Sequence, residues 1–288
     1  LKQIDLAQYT ISEKLSNDDN NEFVFNLPHV TYLSRSSSNS NNLVVVKEFP
    51  SISSSQFSRI THDVESINAI SHPCLANVLG FFQGDSKFQP SLIYTYYPFR
   101  SVKDLIKSFK SGSQNNKYLL FNGTHFMKIC YGVAYAMNLM HSHQPQFIHR
   151  DLRAGTVLLN ENFEPFVSGY GISEVNSNKK YVAPEIIGKS SSTLDPHSLL
   201  SSDIYAYGVL LKKLMKTFLA SCKISKDKEL DCFDSLIKGC KSNNPIKRPK
   251  FSEILLMLDN STFKNSLKKI QNIEFDDISY TSYCQKLK

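Results

Sequence analysis

The polar residues best suited to catalysis lie together in the segment His149-Arg150-Asp151-Leu152-Arg153. This segment follows a long amphipathic stretch that ends near Met140, and it precedes the apolar run Val157-Leu158-Leu159. The Asp151 carboxylate has two interpretations. It acts as a general base that accepts a proton, or it only hydrogen-bonds the loop in which it lies.

Further motifs occur in a fixed order around this segment. They are Val44-Val45-Val46-Lys47, Tyr181-Val182-Ala183-Pro184-Glu185, Asp203-Ile204-Tyr205-Ala206-Tyr207-Gly208, and Cys240 to Pro249 followed by Phe251. Together the motifs resemble the protein kinase superfamily, and Leu152-Arg153-Ala154 is most similar to its tyrosine-kinase and tyrosine-kinase-like branch. The resemblance covers roughly Tyr9 to Leu258. It implies a two-lobed α+β fold, with a small antiparallel β-rich N-lobe that contains one helix and a larger, mainly helical C-lobe.

The segment that would cover phosphates in this family lacks glycine. Between Leu15 and Phe23 the chain reads Ser16-Asn17-Asp18-Asp19-Asn20-Asn21-Glu22, and its first glycine is Gly80. Glycine lets backbone amides approach phosphates closely, whereas acidic side chains repel a polyanion. We therefore do not expect this segment to bind phosphate in the usual way.

The nucleotide pocket implied by the resemblance is degenerate. Its expected lining is Lys47, Asp63, Val45, Tyr94, Thr95, Tyr97 and Leu158. Val45 is larger than the family's alanine and Tyr94 adds bulk at the back, so the pocket is either self-filled or reopened by a strand shift. Asp63 replaces the glutamate that would pair with Lys47. Because aspartate is one methylene shorter, an ion pair with Lys47 requires the helix to lie closer to the strand. Such a pair would be either a structural salt bridge between strand and helix or a part of nucleotide binding.

Both side chains that the family uses to bind magnesium are replaced. Gly169-Tyr170-Gly171 stands where the family has Asp-Phe-Gly, and Thr156 stands where it has asparagine. Glycine has no carboxylate, and a hydroxyl is a weaker substitute for an amide oxygen. We therefore expect no bound metal, and we interpret Asp151 as vestigial. Six motif residues are assigned structural roles, the first three in a hydrophobic column linking the lobes: His149, Tyr170, Ile67, Glu185, Asp203 and Arg248.

Hydrophobic periodicity predicts the elements that position these motifs. The predicted strands are Glu22 to Leu27, His29 to Leu33, Leu43 to Phe49, Leu75 to Phe82 and Ser91 to Tyr97. The predicted helices are Gln56 to Ile70, Phe126 to Met140, Asp203 to Phe218, Phe233 to Cys240 and Phe251 to Leu258. The kinase-like domain is expected over residues 1–258, with an N-lobe at about 9–97 and a C-lobe at about 98–258. Residues 259–288 are expected to form a docked, helical extension.

Composition narrows the class of partner. The 288 residues include 33 basic and 26 acidic side chains, a net charge of +7, but the basic residues are scattered, so no nucleic acid is expected. No run of about 18 apolar residues occurs, so this segment is not expected to insert into a membrane. The six cysteines lack CxxC spacing, which favours reduced thiols in the cytoplasm, or in the intracellular part of a larger protein.

Taken together, these features favour a pseudokinase that is not an enzyme. It would act as a scaffold or allosteric regulator of a signalling partner, with impaired or absent magnesium-ATP binding. The expected partner is a protein, either an active kinase or an adjacent domain of the full-length chain. No cofactor is expected, although ATP binding without metal is compatible with the residues. Two alternatives stay open: a divergent kinase with weak residual transfer to protein Ser, Thr or Tyr through Lys47 and Asp151, and a nucleotide-binding, non-catalytic module.

Overall fold

A computed structural model describes residues 1–17, 30–36, 43–111, 118–169, 180–189, 194–223, 230–270 and 273–288, and the statements below concern these ranges. The side chains of residues 16, 17 and 36 are also outside the description. The chain forms a β-sheet lobe followed by a helical lobe, which confirms the predicted two-lobed α+β fold. The predicted strand Glu22 to Leu27 and the column residue Tyr170 lie outside the described residues.

In the described part of the N-lobe, six strands build the sheet. They are β1 (Lys2–Gln3), β2 (Tyr9–Asn17), β3 (Val30–Ser36), β4 (Leu43–Glu48), β5 (Val78–Phe82) and β6 (Ser91–Thr95). The sheet order is β1-β5-β6-β4-β3-β2, and β2, β3 and β4 form the expected antiparallel meander. Strand β1 pairs in parallel with β5, so the sheet begins before Tyr9, where the N-lobe was predicted to start. A strand of two residues is too short to show a periodicity in the sequence.

Helix α1 (Ser54–Asn68) covers one face of this sheet. Ser53 caps its first turn, and Gln56 completes a capping box by accepting a hydrogen bond from the Ser53 backbone amide. The apolar face of the helix packs with Val78, Leu92 and Tyr94. Side chains alternate between the faces of a strand, so Val45 and Lys47 of β4 lie on one face while Val44 and Val46 pack with Leu6 on the other. This alternation decides which face of the sheet carries Lys47.

The C-lobe is mainly helical. Its principal elements are α2 (Val102–Lys110), α3 (Gly123–Ser142), β7 (Val157–Leu159), β8 (Pro165–Val167), α4 (Pro196–Ser221), α5 (Asp231–Cys240) and α6 (Phe251–Asp259). Helix α4 begins well before Asp203, its predicted start, because Asp195 accepts a hydrogen bond from the Ser198 amide at 2.9 Å and Pro196 suits the first turn. Strands β7 and β8 pair as a short hairpin that carries Leu158.

Two helices follow the kinase-like region. Helix α7 (Ser261–Lys268) ends before the segment that leads into α8 (Asp277–Leu287). Helix α8 packs on α3, where the Gly123 amide donates to the Glu274 carbonyl at 3.0 Å and the Asp276 amide donates to Thr124 Oγ1 at 2.7 Å. The described residues of the tail thus contain two helices, the second of which lies against the central helix of the C-lobe.

The cysteines are free thiols. Cys74, Cys130 and Cys240 are buried, and burial raises the pKa of the Cys130 thiol well above its usual value. Buried thiols of this kind pack as small apolar side chains. Within the described ranges, no helix combines the length and the apolar character needed to span a bilayer.

Candidate active site

Asp203 of α4 anchors the loop that carries Asp151. Its carboxylate accepts hydrogen bonds from the backbone amides of His149 at 2.8 Å and Arg150 at 2.9 Å, and it lies 3.0 Å from His141 Nε2. Arg150 has a φ of +66°, a conformation that non-glycine residues rarely adopt. The two amide bonds hold this backbone in place, so Asp203 has the geometry of the structural anchor that the motif implied.

The His149 ring is buried and neutral. Its Nδ1 accepts a hydrogen bond from the Asp151 amide at 3.2 Å, and its Nε2 therefore carries the proton and donates to the Ser168 carbonyl at 3.1 Å. Burial lowers the pKa of this imidazole. With both ring nitrogens bonded to backbone, His149 positions the loop. Ile67, its predicted neighbour in the column, is also buried.

The Asp151 carboxylate is paired with Arg153. Arg153 Nε lies 3.1 Å from Oδ1 and 3.0 Å from Oδ2, and the relative exposure of Asp151 is 0%. A buried carboxylate is costly unless a cation and hydrogen bonds compensate its charge. The guanidinium supplies that compensation, so Asp151 is fixed in one orientation inside the loop.

Thr156 uses its hydroxyl within the same loop. The hydroxyl accepts a hydrogen bond from the Arg153 amide at 3.0 Å and lies 3.0 Å from the carbonyl oxygens of Asp151 and Arg153. A hydroxyl has one proton and two lone pairs, so these contacts occupy most of its bonding capacity. Thr156 therefore stabilises the loop, and it is poorly suited to bind a metal.

Gly169 is sterically coupled to Thr156. Its φ is +79°, and a Cβ at this position would lie 3.1 Å from Thr156 Cγ2. The preceding residue ties the two segments together, because the Ser168 amide donates to the Thr156 carbonyl at 2.8 Å. Neither position offers a carboxylate or a free amide oxygen, so these residues do not fit a magnesium ion.

Lys47 and Asp63 are not brought together. Lys47 Nζ lies 4.9 Å from the centre of the Tyr94 ring, whereas the Asp63 carboxylate lies 3.8 Å from His62 Nδ1. In the part of the chain that the structure describes, no ion pair joins Lys47 to Asp63. The expected strand–helix ion pair is therefore absent, because Asp63 lies beside the buried stripe of α1 with a half-exposed, short side chain.

The other predicted pocket residues lie on β4, on β6 and its continuation, and on β7. Val45 faces Tyr94 across the β4–β6 pair, and Tyr94 is buried, with its hydroxyl pKa raised by desolvation. Thr95 lies beside Val44 in the same pair, and Leu158 is half-buried on β7.

Tyr97 takes part in packing between the lobes. Its hydroxyl accepts a hydrogen bond from the Asn77 amide at 3.3 Å, and its ring centre lies 4.5 Å from that of Phe166 on β8. Burial raises the pKa of Tyr97 to about 12. Its side chain is thus held by protein groups at the position where a pocket wall was predicted.

Glu185 and Arg248 form a bidentate ion pair. Arg248 Nη1 and Nη2 donate to the two Glu185 oxygens at 2.5 and 2.8 Å. Arg248 also donates to the carbonyls of Ser201 at 2.8 Å and Ser242 at 2.9 Å. Planar, bidentate pairs of this kind combine strength with fixed geometry. The pair joins the motif that ends at Glu185 to α4 and to the segment that follows α5.

Two contacts of the loop were missed by sequence reasoning. Arg153 is marked in the sequence only by its place in a motif, yet its guanidinium holds the Asp151 carboxylate. Tyr181 is buried, and its hydroxyl accepts a hydrogen bond from the Ala154 amide at 3.2 Å. Arg153 and Tyr181 both lie inside motifs of the sequence, so their positions marked them as candidates. Their contact partners are visible only in the folded structure.

Comparison with known proteins identifies the family. Residues 28–226 match the protein tyrosine and serine/threonine kinase family, so the chain belongs to it. The chain is 25% identical over 186 residues to the probable serine/threonine-protein kinase samkB of Dictyostelium discoideum, a match that covers 61% of this chain and 30% of that protein. It is 26% identical over 239 residues to the probable serine/threonine-protein kinase PBL5 of Arabidopsis thaliana, a match that covers 68% of this chain and 55% of that protein. It is 25% identical over 174 residues to the dual specificity protein kinase shkC of Dictyostelium discoideum, a match that covers 52% of this chain and 34% of that protein.

These similarities correct one prediction. The superfamily assignment is confirmed, but the prediction that the chain is not an enzyme is wrong, because the relatives are named as serine/threonine or dual specificity protein kinases and the kinase domain is present. The chain spans about half or less of the length of these relatives. Assignment to the tyrosine-kinase-like branch stays a prediction.

Proposed function

We propose that this chain is a divergent cytoplasmic protein kinase that transfers phosphate weakly from ATP to a protein hydroxyl. The observation that carries the proposal is the anchored loop in which Arg153 fixes Asp151, next to the altered positions Gly169 and Thr156. The kept carboxylate and the names of the relatives support transfer. The lost metal ligands support a low rate.

In the proposed reaction, the acceptor hydroxyl oxygen forms a bond to the terminal phosphorus of ATP while the bond from that phosphorus to the bridging oxygen breaks. Asp151 takes the hydroxyl proton, and Arg153 keeps its carboxylate in a fixed orientation. Asp203 and His149 hold the loop backbone. Lys47 supplies a cation on the face of the sheet that α1 covers. Positioning and electrostatics carry this chemistry, and loss of one preorganised group typically slows an enzyme by about 10²–10³-fold.

A second candidate function is regulation of a protein partner by binding, in addition to weak catalysis. It is favoured by the way the loop is stabilised. Thr156 and Arg153 direct their polar groups to other atoms of the loop, so the loop keeps its shape through bonds within the protein. An active kinase or an adjacent domain of a longer chain would be a suitable partner.

Transfer of labelled phosphate to a mixed library of Ser-, Thr- and Tyr-containing peptides tests the first proposal. Asp151→Asn should lower incorporation by about 10²-fold or more, as expected for loss of a general base. Asp234→Asn, on an exposed position of α5, is the matched control and should leave the rate unchanged. Equal incorporation by the wild type and Asp151→Asn would contradict the proposal, and so would its absence from the wild type.

Thermal unfolding with ATP tests the altered metal positions. A ligand at about 100 times its dissociation constant stabilises a fold by roughly 2.7 kcal/mol. We expect the same increase in melting temperature with ATP in magnesium and in EDTA, because the side-chain metal ligands are missing. A stabilisation that requires magnesium would contradict this part of the proposal.

A further inference from the structure

A pocket lies in the C-lobe beside the loop that carries Asp151. It has a volume of about 340 Å³ and opens between α2 and α4. Arg153, Ala154 and Gly155 of the loop line it, together with Tyr181. We call it the basic pocket, because of the side chains that surround it.

Cations dominate the lining of the basic pocket. Besides Arg153, six lysines line it: Lys103, Lys107, Lys110, Lys180, Lys213 and Lys216. Among the lining residues that the structure describes, none carries a carboxylate. This concentration is unusual in a chain with 33 basic and 26 acidic residues. The basic residues are scattered along the sequence, but the fold places seven of them around this one pocket.

The two helices explain this concentration. Lys103, Lys107 and Lys110 are spaced by four and three residues on α2, so they share one face of that helix. Lys213 and Lys216 are three residues apart on α4 and share a face in the same way. Both faces border the same pocket, and their charges point to a polyanionic ligand.

The pocket also has apolar walls. Ile106, Phe109 and Ala220 line it, and Lys213 Nζ lies 3.9 Å from the centre of the Tyr181 ring. A surface that combines cations with apolar side chains suits a peptide with acidic and apolar residues better than it suits a small inorganic anion. The ligand class favoured by this lining is thus a segment of protein.

Arg153 connects the basic pocket to the Asp151 carboxylate. It lines the pocket, and its Nε donates to both carboxylate oxygens of Asp151. A peptide bound in the pocket would therefore lie next to the residue that accepts the hydroxyl proton. We propose that the basic pocket binds an acidic segment of the protein substrate and brings a neighbouring hydroxyl to Asp151. This inference rests on the proposed kinase function.

Binding of a fluorescein-labelled, Glu-rich peptide, followed by fluorescence anisotropy in the absence of ATP, tests the proposal independently of catalysis. The same peptide with every Glu replaced by Gln is the ligand control. Lys107, Lys110 and Lys216 are exposed, so the triple variant Lys107→Gln, Lys110→Gln, Lys216→Gln should fold normally. Lys238→Gln, Lys247→Gln, Lys269→Gln removes the same charge from exposed lysines outside the pocket and is the protein control.

We expect the pocket variant to bind the Glu-rich peptide about tenfold more weakly than the wild type, since exposed ion pairs are each worth up to about a factor of five. The control variant should bind like the wild type, and the Gln peptide should bind to neither. Equal weakening in both triple variants, or no binding to the wild type, would overturn the proposal. It would also be overturned if vesicles of phosphatidylserine and phosphatidylcholine bound through these three lysines and the peptide did not.

The outcomes separate this inference from the proposed function. Peptide binding that depends on the three lysines, in a protein without phosphotransfer, would support the pocket and refute the kinase proposal. Phosphotransfer that proceeds equally well on serine-containing versions of the Glu-rich and Gln peptides would refute the pocket as a substrate site and leave the kinase proposal intact.

Discussion

Arg153 donates from Nε to both carboxylate oxygens of Asp151, and neither side chain is more than 5% exposed. This pair links the residue proposed as the base to the basic pocket. Removing one member of a buried pair leaves an uncompensated charge and typically costs about 3–5 kcal/mol. Arg153→Leu should lower the free energy of unfolding in urea by an amount in this range. Combining it with Asp151→Asn should recover part of the loss, and a double variant no more stable than Arg153→Leu would contradict this account.

Restoring the family's metal ligands should require two substitutions. In Gly169→Asp, the new Cβ would lie 3.1 Å from Thr156 Cγ2 at a φ of +79°. Adding Thr156→Asn removes the Cγ2 methyl group that the new Cβ would meet, and it supplies an amide oxygen. We expect the double variant to show magnesium-dependent stabilisation by ATP and faster phosphotransfer than either single variant, measured by thermal unfolding and label incorporation.

Gly188 provides a control for the backbone cost of that change. Its φ is +75°, and a Cβ there would meet no atom within 4 Å. Gly188→Asp should therefore cost about 1 kcal/mol from the positive φ alone. Gly169→Asp should cost more, because it adds the contact with Thr156. Equal losses of stability would show that this contact is unimportant.

The packing of α8 on α3 depends on Gly132. A Cβ at this position would overlap the Tyr283 hydroxyl and lie 2.6 Å from Pro165 Cγ. Gly132→Ala should lower the free energy of unfolding by about 1–3 kcal/mol, as overpacking usually does. Within the described structure, the Tyr283 hydroxyl is buried without a hydrogen-bond partner, so Tyr283→Phe should be neutral or slightly stabilising.

The double variant Gly132→Ala, Tyr283→Phe should recover part of that stability, because the overlapping oxygen is gone. A double-mutant cycle in urea measures this coupling. Strict additivity of the two changes would contradict the proposed overlap.

Acid should weaken the fold partly through His125. Its ring stacks on Phe163 with centroids 4.3 Å apart, and burial lowers its pKa from 6.5 to about 4. Between these values the unfolded chain binds a proton at His125 and the folded chain does not, so the free energy of unfolding falls as pH falls through this window. His125→Gln should reduce that slope in urea unfolding measured from pH 6.5 to pH 4. An unchanged slope would contradict the assignment.

Much of the fold followed from the sequence. The periodicity of α1, the run of β4 and the order of the kinase motifs are local properties, and the structure contains the two lobes that they predicted. The loss of a carboxylate at Gly169 is equally local, since it is a matter of residue identity. The start of the sheet at β1 and the first turns of α4 were not predicted. A two-residue strand and a polar first turn show little hydrophobic periodicity.

The fold class, the position of Asp151 and the missing metal ligands could be read from the residues alone, because each depends on residue type and local pattern. Which side chains contact each other depends on the folded structure. It pairs Asp151 with Arg153, leaves Asp63 beside His62, and gathers lysines of α2 and α4 around one pocket. These contacts join residues through the packing of separate elements and through the directions of their side chains, neither of which is readable from spacing along the chain.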